Sequence, residues 1–410
     1  MLPGCCAFRH GAKVMKAAVN IDDLRLRARS RLPRVVFDYL DGGAEDEITL
    51  RANRRAFEAL RLTPRILGGG VADLSTEIFG QVYAAPYLIG PTGLNGLYWP
   101  DGDLQLARAA AEAGIGFSLS TASNTSMEEI AEKVGAPRWF QLYPWGRPDF
   151  SRALVDRAAA AGYSALILTL DSLVGGKRER DLRHGFSHEI RMSARVVLDG
   201  LMHPRWLASV WLGGRRPRFQ NLVGFLGEGA SDRELADFTR SQRNPGFSWE
   251  DVRRIRQQWR GPLVIKGIMH ADDAERAREE GADGIVVSNH GGRQLDGAPA
   301  TLTALAEIAG KRQGRTTILL DGGVRRGSDV VKALALGAKG VLLGRATLYG
   351  LAAGGQAGVS QALAILADET RRTMILVGSA STGELGHRHL DGTSSIAAGL
   401  AAPAQLTVST

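Results

Sequence analysis

The 410-residue chain has only two cysteines, Cys5 and Cys6, adjacent near its start. Neighbouring cysteines cannot staple distant parts of a fold, and no metal-ligand spacing accompanies them. Neither a disulfide framework nor a metal centre is expected, and a reducing, cytoplasmic setting fits. Long apolar runs are missing too. The stretches Gln81 to Pro100 and Ala346 to Ala367 lack charge, but Pro86, Pro91 and Pro100 break the first, and glycines with Gln356, Ser360 and Gln361 dilute the second. Neither has the apolarity that a membrane span demands. Residues 1–14 carry no apolar core for a signal peptide and read as a disordered extension before Met15; residues 391–410 read as a disordered tail. Acid is scarce relative to base: 51 Lys and Arg stand against 43 Asp and Glu, for a net charge of +8. That balance raises nucleic acid or anionic lipid as partners, yet alone it describes a solvated surface.

What is present is a globular balance, 44% hydrophobic and 23% charged, with 51 glycines against 15 prolines. From residue 87 to 345 one unit recurs: a short apolar run, a polar or glycine punctuation, then a helical pattern. The runs are Tyr87 to Ile89, Gly116 to Leu119, Trp139 to Leu142, Ala165 to Leu170, Leu263 to Ile265, Gly284 to Val287, Thr317 to Leu320 and Gly340 to Leu343. Their pitch is that of parallel βα units, and eight units imply an α/β fold of the TIM (β/α)8 class, with a doubly wound open sheet as the alternative. Between strands four and five, Asp171 to Pro262 is too long for one connection. An insertion is expected from about Ser187 to Ala230. It carries Trp206, Trp211 and Phe219 among Arg191, Arg195, Arg205, Arg215, Arg216 and Arg218, with the single acid Asp199 between Arg191 and Arg218. The rest of 15–390 reads as one domain, opened by an N-terminal helical segment.

In a TIM barrel the active site is built at the C-terminal ends of the strands and in the loops that leave them. Here the strand ends read GPTG (90–93), STAS (120–123), QLY (141–143), TLD (169–171), KG (266–267), SNHGGRQLD (288–296), DGG (321–323) and GR (344–345). The last two resemble a phosphate cradle: glycines that admit an anion to backbone amides, a helix N-terminus after each, and the charges of Arg325 and Arg345. His290 suits proton abstraction, and Arg293, three residues on, suits a bidentate carboxylate clamp. Lys266 ends an apolar strand and requires an anionic partner to escape a penalty on the order of several kcal/mol.

These stretches resemble the FMN-dependent L-2-hydroxy acid oxidase and dehydrogenase family, over roughly Ile21 to Gly378. SNHGGRQLD is the most specific motif, with IKG before it and DGGVRRGSDVVKALALGA and LLGRATLYGLA after it. LPRVVFDYLDGGAEDE, PTGLNG, STASN, WFQLY and RERDL complete the pattern. Within the family, the sequence is most similar to the bacterial (S)-mandelate-oxidising branch. The resemblance implies FMN as cofactor and His290 as active-site base, oriented by Asp171. It implies Arg178, Arg293 and Tyr39 on the substrate carboxylate and Tyr143 on its hydroxyl. Pro91, Thr92, Gly93, Ser120, Gln141, Thr169, Lys266 and Ser288 would line the flavin ring and ribityl chain, and Asp321, Gly323, Arg325, Gly344 and Arg345 its phosphate end.

The substrate implied is a 2-hydroxy acid. Ala122 fills a position that glycolate oxidase gives to tryptophan, leaving room for an aryl or other bulky side chain such as mandelate's, with L-lactate the alternative. The resemblance further implies a homotetramer and electron transfer to quinone from the inner face of the cell membrane, the insertion docking on anionic lipid without nucleic acid as a partner. A soluble oxidase making hydrogen peroxide is the competing reading. An inosinate-type nucleotide dehydrogenase would need a mid-barrel cysteine, which this sequence lacks.

Overall fold

The computed structural model describes residues 18–392, apart from 68–69, 145–146, 187–189, 191, 214–216, 227–233, 235–236, 239–243, 312–313 and 315. The expected extension 1–14, the tail beyond 392, and Arg191, Arg215 and Arg216 lie outside the described residues. Three helices open the described part of the chain, α1 (Ile21–Arg31), α2 (Arg34–Asp41) and α3 (Ile48–Ala59). A hairpin of β1 (Thr76–Ile78) and β2 (Gln81–Tyr83) leads into the barrel strands. These are β3 (Tyr87–Ile89), β4 (Phe117–Ser120), β5 (Arg138–Leu142), β6 (Ala165–Thr169), β7 (Leu263–Ile268), β8 (Gly284–Val287), β9 (Thr317–Leu320) and β10 (Gly340–Leu343). They close in the order β10-β3-β4-β5-β6-β7-β8-β9, all parallel. The expected (β/α)8 barrel is therefore the fold.

Period-two alternation sorts each strand between two cores. On β6, Ala165 and Ile167 belong to the interior with Val264, Val286, Leu319 and Leu342, while Leu166 and Leu168 face the surrounding helices. The hairpin plugs one end: Ile78 and Tyr83 join the interior cluster, and Trp139 donates its Nε1–H to Tyr83 Oη at 3.2 Å. A filled interior with one sealed end leaves the C-terminal strand ends as the open mouth. Ile167 is fully buried there, so its truncation to alanine would cost about 2–5 kcal/mol.

Four strands differ in their bounds from the sequence reading. β4 sits one residue later, β5 begins one residue earlier, at Arg138, and β6 ends one residue earlier, at Thr169. β7 runs on to Ile268 through an irregularity between Lys266 and Ile268. Gly267 explains it: its φ is +105°, and a Cβ there would lie 2.7 Å from that of Asp171. The bulge lets two polar residues share the mouth.

Helices α4 (Gly102–Glu112), α5 (Met127–Lys133) and α6 (Pro148–Ala160) return across the barrel as expected. The long β6–β7 connection supplies α7 (Glu179–Arg183) ahead of the insertion, and within the insertion α8 (Ala194–Met202), α9 (Pro204–Trp206) with a π turn (Leu207–Leu212), and α10 (Gln220–Leu226). Its aromatic residues divide in a way composition does not reveal. Trp206, expected in the membrane-docking insertion, and its neighbour Val210 are buried, and Trp206 Nε1 donates to the Leu97 carbonyl at 2.7 Å. Leu198, Leu201, Met202, Trp211 and Leu212 remain exposed. Among the described residues no helix is long and apolar enough to cross a membrane.

Candidate active site

A cavity of about 480 Å³ opens at the C-terminal strand ends. Of the residues singled out from sequence, Tyr39, Pro91, Thr92, Gly93, Tyr143, Arg178, Lys266, His290, Arg293, Asp321, Gly323, Arg325, Gly344 and Arg345 line it. Ser120, Gln141, Thr169 and Ser288 are buried at the adjoining strand ends, and Asp171 touches both His290 and Lys266. Sequence reasoning missed Phe186, Phe219 and Leu222, which bring an apolar wall from the insertion. It also missed Gln294, whose Nε2 donates to the Asp171 carbonyl at 2.9 Å and whose Oε1 accepts from Gly176 N at 2.8 Å. Its place inside SNHGGRQLD was the available signal.

His290 follows β8 with φ +57°, a left-handed conformation that costs energy outside glycine. Its amide donates to Ser288 Oγ at 3.1 Å, and its Nδ1 lies 2.9 Å from Asp171 Oδ1. With Nδ1 committed to the carboxylate, Nε2 is the ring atom left for a ligand. Burial lowers the imidazole pKa, outweighing the upward pull of Asp171. Burial pushes Asp171 the other way, but His290 and Lys266 together hold its carboxyl below the usual range. Tyr143 is pushed up to about 12 by burial and by the Asp171 charge. At neutral pH the site thus presents a neutral imidazole beside a carboxylate, and a phenol that keeps its proton.

Lys266 finds the anion that its burial requires. Its Nζ lies 3.0 Å from Asp321 Oδ2 and 4.0 Å from Asp171 Oδ2, and donates to Ser288 Oγ at 2.7 Å. Burial alone would lower its pKa, but Asp321 and Asp171 raise it, so the ammonium persists. Asp321, expected with the phosphate end, is held at this lysine.

The arginines gather around the C-terminal carbonyls of α2, where the helix leaves its last acceptors unpaired. Arg293 Nη1 donates to Tyr39 O at 2.8 Å and Gly42 O at 2.7 Å, with its guanidinium 5.0 Å from the Tyr39 ring centre. Arg345 donates to Leu40 O, Gly42 O and Gly291 O. Arg178 is half-buried, and its buried Nε has no hydrogen-bond partner among the described residues. Burial and the charge of Arg293 lower the pKa of Arg178, and the same pair of causes pushes Arg345 down to about 10. Like charges held together in low dielectric are stabilised by an anionic ligand.

Among the described residues several buried polar atoms at the mouth have no hydrogen-bond partner: Gln141 Nε2, Thr169 Oγ1, Asp321 Oδ1, Ser172 Oγ and Asp171 Oδ2. Gln141 is oriented for this, since its Oε1 accepts from Ser120 Oγ at 2.8 Å and its NH2 is left over. Each such group costs about 1–3 kcal/mol unless a ligand satisfies it. A flat ligand with donors and acceptors on its edge and a phosphate at one end meets that demand, so the residues fit FMN. For the phosphate, Gly323 holds φ +94°, and a Cβ there would lie 3.0 Å from the Asn53 carbonyl oxygen. One element of the expected cradle is amended. The amides leading into the helix Gly327–Ala335 are already satisfied, those of Arg325 and Arg326 just before it by Asp329 Oδ2 at 2.9 and 3.0 Å and that of Gly327, its first residue, by Glu369 Oε2 at 2.7 Å. The Arg325 and Arg345 side chains are the cations that line this end of the cavity.

The whole described barrel and its mouth fall within a match to the FMN-dependent dehydrogenase family over residues 28–392. The chain belongs to that family, and FMN is its cofactor. Among its relatives, (S)-mandelate dehydrogenase of Pseudomonas putida is 46% identical over 361 residues, 88% of this chain and 90% of the relative. An L-lactate dehydrogenase of Pectobacterium atrosepticum is 43% identical over 365 residues, 88% and 94% of the two chains. The crystal structure of the monotopic membrane protein (S)-mandelate dehydrogenase superposes with a TM-score of 0.88 at 44% identity, covering 92% of this chain and all of that one.

Proposed function

We propose that the protein oxidises an (S)-2-hydroxy acid with an aryl or other bulky side chain, mandelate in the first instance, to the 2-keto acid. Electrons would pass to quinone at the inner face of the cell membrane. The observation that carries the substrate choice is the small Ala122 at the cavity, with Phe186, Phe219 and Leu222 offering apolar surface to a ring. The (S)-mandelate dehydrogenase relatives agree with it. The L-lactate dehydrogenases, at similar identity, support lactate as the second reading.

In this reading Arg178 and Arg293 bind the substrate carboxylate, aided by Tyr39, and their mutual repulsion turns to attraction when an anion lies between them. Tyr143, protonated, donates to the hydroxyl oxygen. His290 Nε2 takes one proton as the C–H bond gives up its two electrons, and Asp171 stabilises the imidazolium that results. Bound FMN supplies the two-electron acceptor. Lys266, an ammonium in a buried site, stabilises negative charge on whatever lies against it. Fixing the carboxylate at two points makes the transfer an oriented, effectively unimolecular step.

The barrel domain, 15–390, carries this chemistry, and the segment 187–230 docks it on the membrane. Leu198, Leu201, Met202, Trp211 and Leu212 are the exposed apolar side chains of this segment, suited to the interface beside arginines that draw anionic lipid. The relative described as a monotopic membrane protein supports this. The test is anaerobic bleaching of the holoenzyme by a panel of 2-hydroxy acids, then reoxidation by a quinone analogue or by oxygen. Faster bleaching by lactate than by mandelate at saturation would reverse the substrate assignment, and faster reoxidation by oxygen would reverse the acceptor.

A further inference from the structure

Helix α3 lies outside the barrel and contributes nothing to the cavity lining, yet it grips the loop that carries His290. Asn53 on α3 and Asn289 are buried and exchange two hydrogen bonds: Asn53 Nδ2 donates to Asn289 Oδ1 at 2.9 Å, and Asn289 Nδ2 to Asn53 Oδ1 at 2.8 Å. Each oxygen also serves a second donor. Asn289 Oδ1 accepts from Gly292 N at 3.1 Å, and Asn53 Oδ1 from Thr301 N at 3.1 Å. Asn289 Nδ2 further donates to Pro299 O at 3.0 Å. This network fixes which way both amides face, since exchanging N for O in either would set donor against donor.

The residue gripped is the neighbour of His290. A left-handed histidine is held only when its surroundings over-determine it. The Ser288 hydroxyl fixes one side of that turn, and the Asn53–Asn289 pair fixes the other. Asp296, at the far end of the same loop, caps α3 through the amides of Ile48 at 3.1 Å and Thr49 at 2.8 Å. Arg54, next to Asn53, donates to Gly323 O and to Asp329 Oδ2. One helix therefore references the histidine loop to the glycine cradle.

We propose that Asn53 is a positioning residue for His290: its amide clasps Asn289 and so holds the imidazole against Asp171. The proposal rests on His290 as proton acceptor. If the clasp loosens, His290 moves out of register with Asp171, leaving Lys266 and Arg178 as the charges that face it. A displacement of about 1 Å can slow an oriented step by roughly 100-fold.

The test uses FMN-loaded Asn53→Ala and Asn53→Asp, alone and combined with Asp171→Asn, with His290→Ala as control. Anaerobic flavin reduction is followed across pH, beside FMN content and melting temperature. The expected result is reduction slowed about 10- to 100-fold, with the acid limb moved to lower pH because the imidazole has lost its carboxylate. In the Asp171→Asn background the further loss should shrink to less than about threefold, as for residues acting through one contact. Asn53→Asp, isosteric but without the donor to Asn289, decides by the same readouts if the alanine variant does not fold. A wild-type rate in fully loaded variants, or a slowed rate with an unmoved acid limb and an undiminished loss in the double variant, overturns the proposal. Normal reduction by His290→Ala would instead overturn the base assignment beneath it.

Discussion

Replacing Asp171 by asparagine probes the centre of the site, because it keeps the shape and removes the charge. The Asp171 Oδ1 to His290 Nδ1 contact is 2.9 Å, and both side chains are largely buried. The amide oxygen of asparagine still accepts from Nδ1, so ring orientation is largely kept. What is lost is a charge-assisted bond to the imidazolium formed in the step, worth about 1.5–3 kcal/mol, which corresponds to roughly a 10- to 150-fold slower reduction at about 1.4 kcal/mol per tenfold. The pH profile adds a signed test. Burial already lowers the His290 pKa, and Asp171 opposes that shift. With neutral His290 as the proposed base, the wild-type acid limb should lie below the ordinary histidine value of about 6.5, and in Asp171→Asn it should lie lower still. The variant would be slower yet keep its plateau further into acid. Anaerobic stopped-flow bleaching with saturating (S)-mandelate reads both quantities. An unchanged rate, or an acid limb displaced to higher pH, would refute the reasoning.

Truncating Arg293 to alanine should cost about 2–5 kcal/mol in kcat/KM, as for removing one partner of a buried charge pair, and steady-state assays should show KM and kcat both affected. Lys266→Met should leave Asp321 without its cation and lower the reduction potential of bound FMN, measurable by dye equilibration. Ala122→Trp should suppress oxidation of mandelate far more than of lactate, read from the ratio of kcat/KM values. Changing Leu201, Trp211 and Leu212 together to serine should abolish sedimentation with anionic liposomes while leaving flavin reduction within about twofold, since these exposed side chains lie outside the cavity lining.

The barrel is legible in the sequence because each strand is a bounded apolar run and each helix a separate pattern; β3, β8, β9 and β10 fall at the residues read from sequence. The site comes with it, since strand ends converge once a barrel closes. Trp206 is easily misread because an aromatic among arginines looks interfacial, while its partner, the Leu97 carbonyl, lies 109 positions away in the chain. Phe219 and Leu222 are hidden for a similar reason: only the path of the insertion back over the mouth brings them to the cavity. The guanidinium of Arg345 is placed by motif alone, and its three carbonyl partners come from α2 and from the His290 loop. Asn53 carries no motif; it is one polar residue on a helix, and its meaning lies in Asn289, 236 positions later.

The central claim is that one chain holds FMN and a base arranged to oxidise a 2-hydroxy acid. Its most direct test is addition of (S)-mandelate to the yellow holoenzyme without oxygen, with the product measured in the same sample. Full bleaching of the flavin is expected, with one 2-keto acid formed per FMN reduced. A flavin that stays oxidised with (S)-mandelate, L-lactate and every other 2-hydroxy acid offered would contradict it.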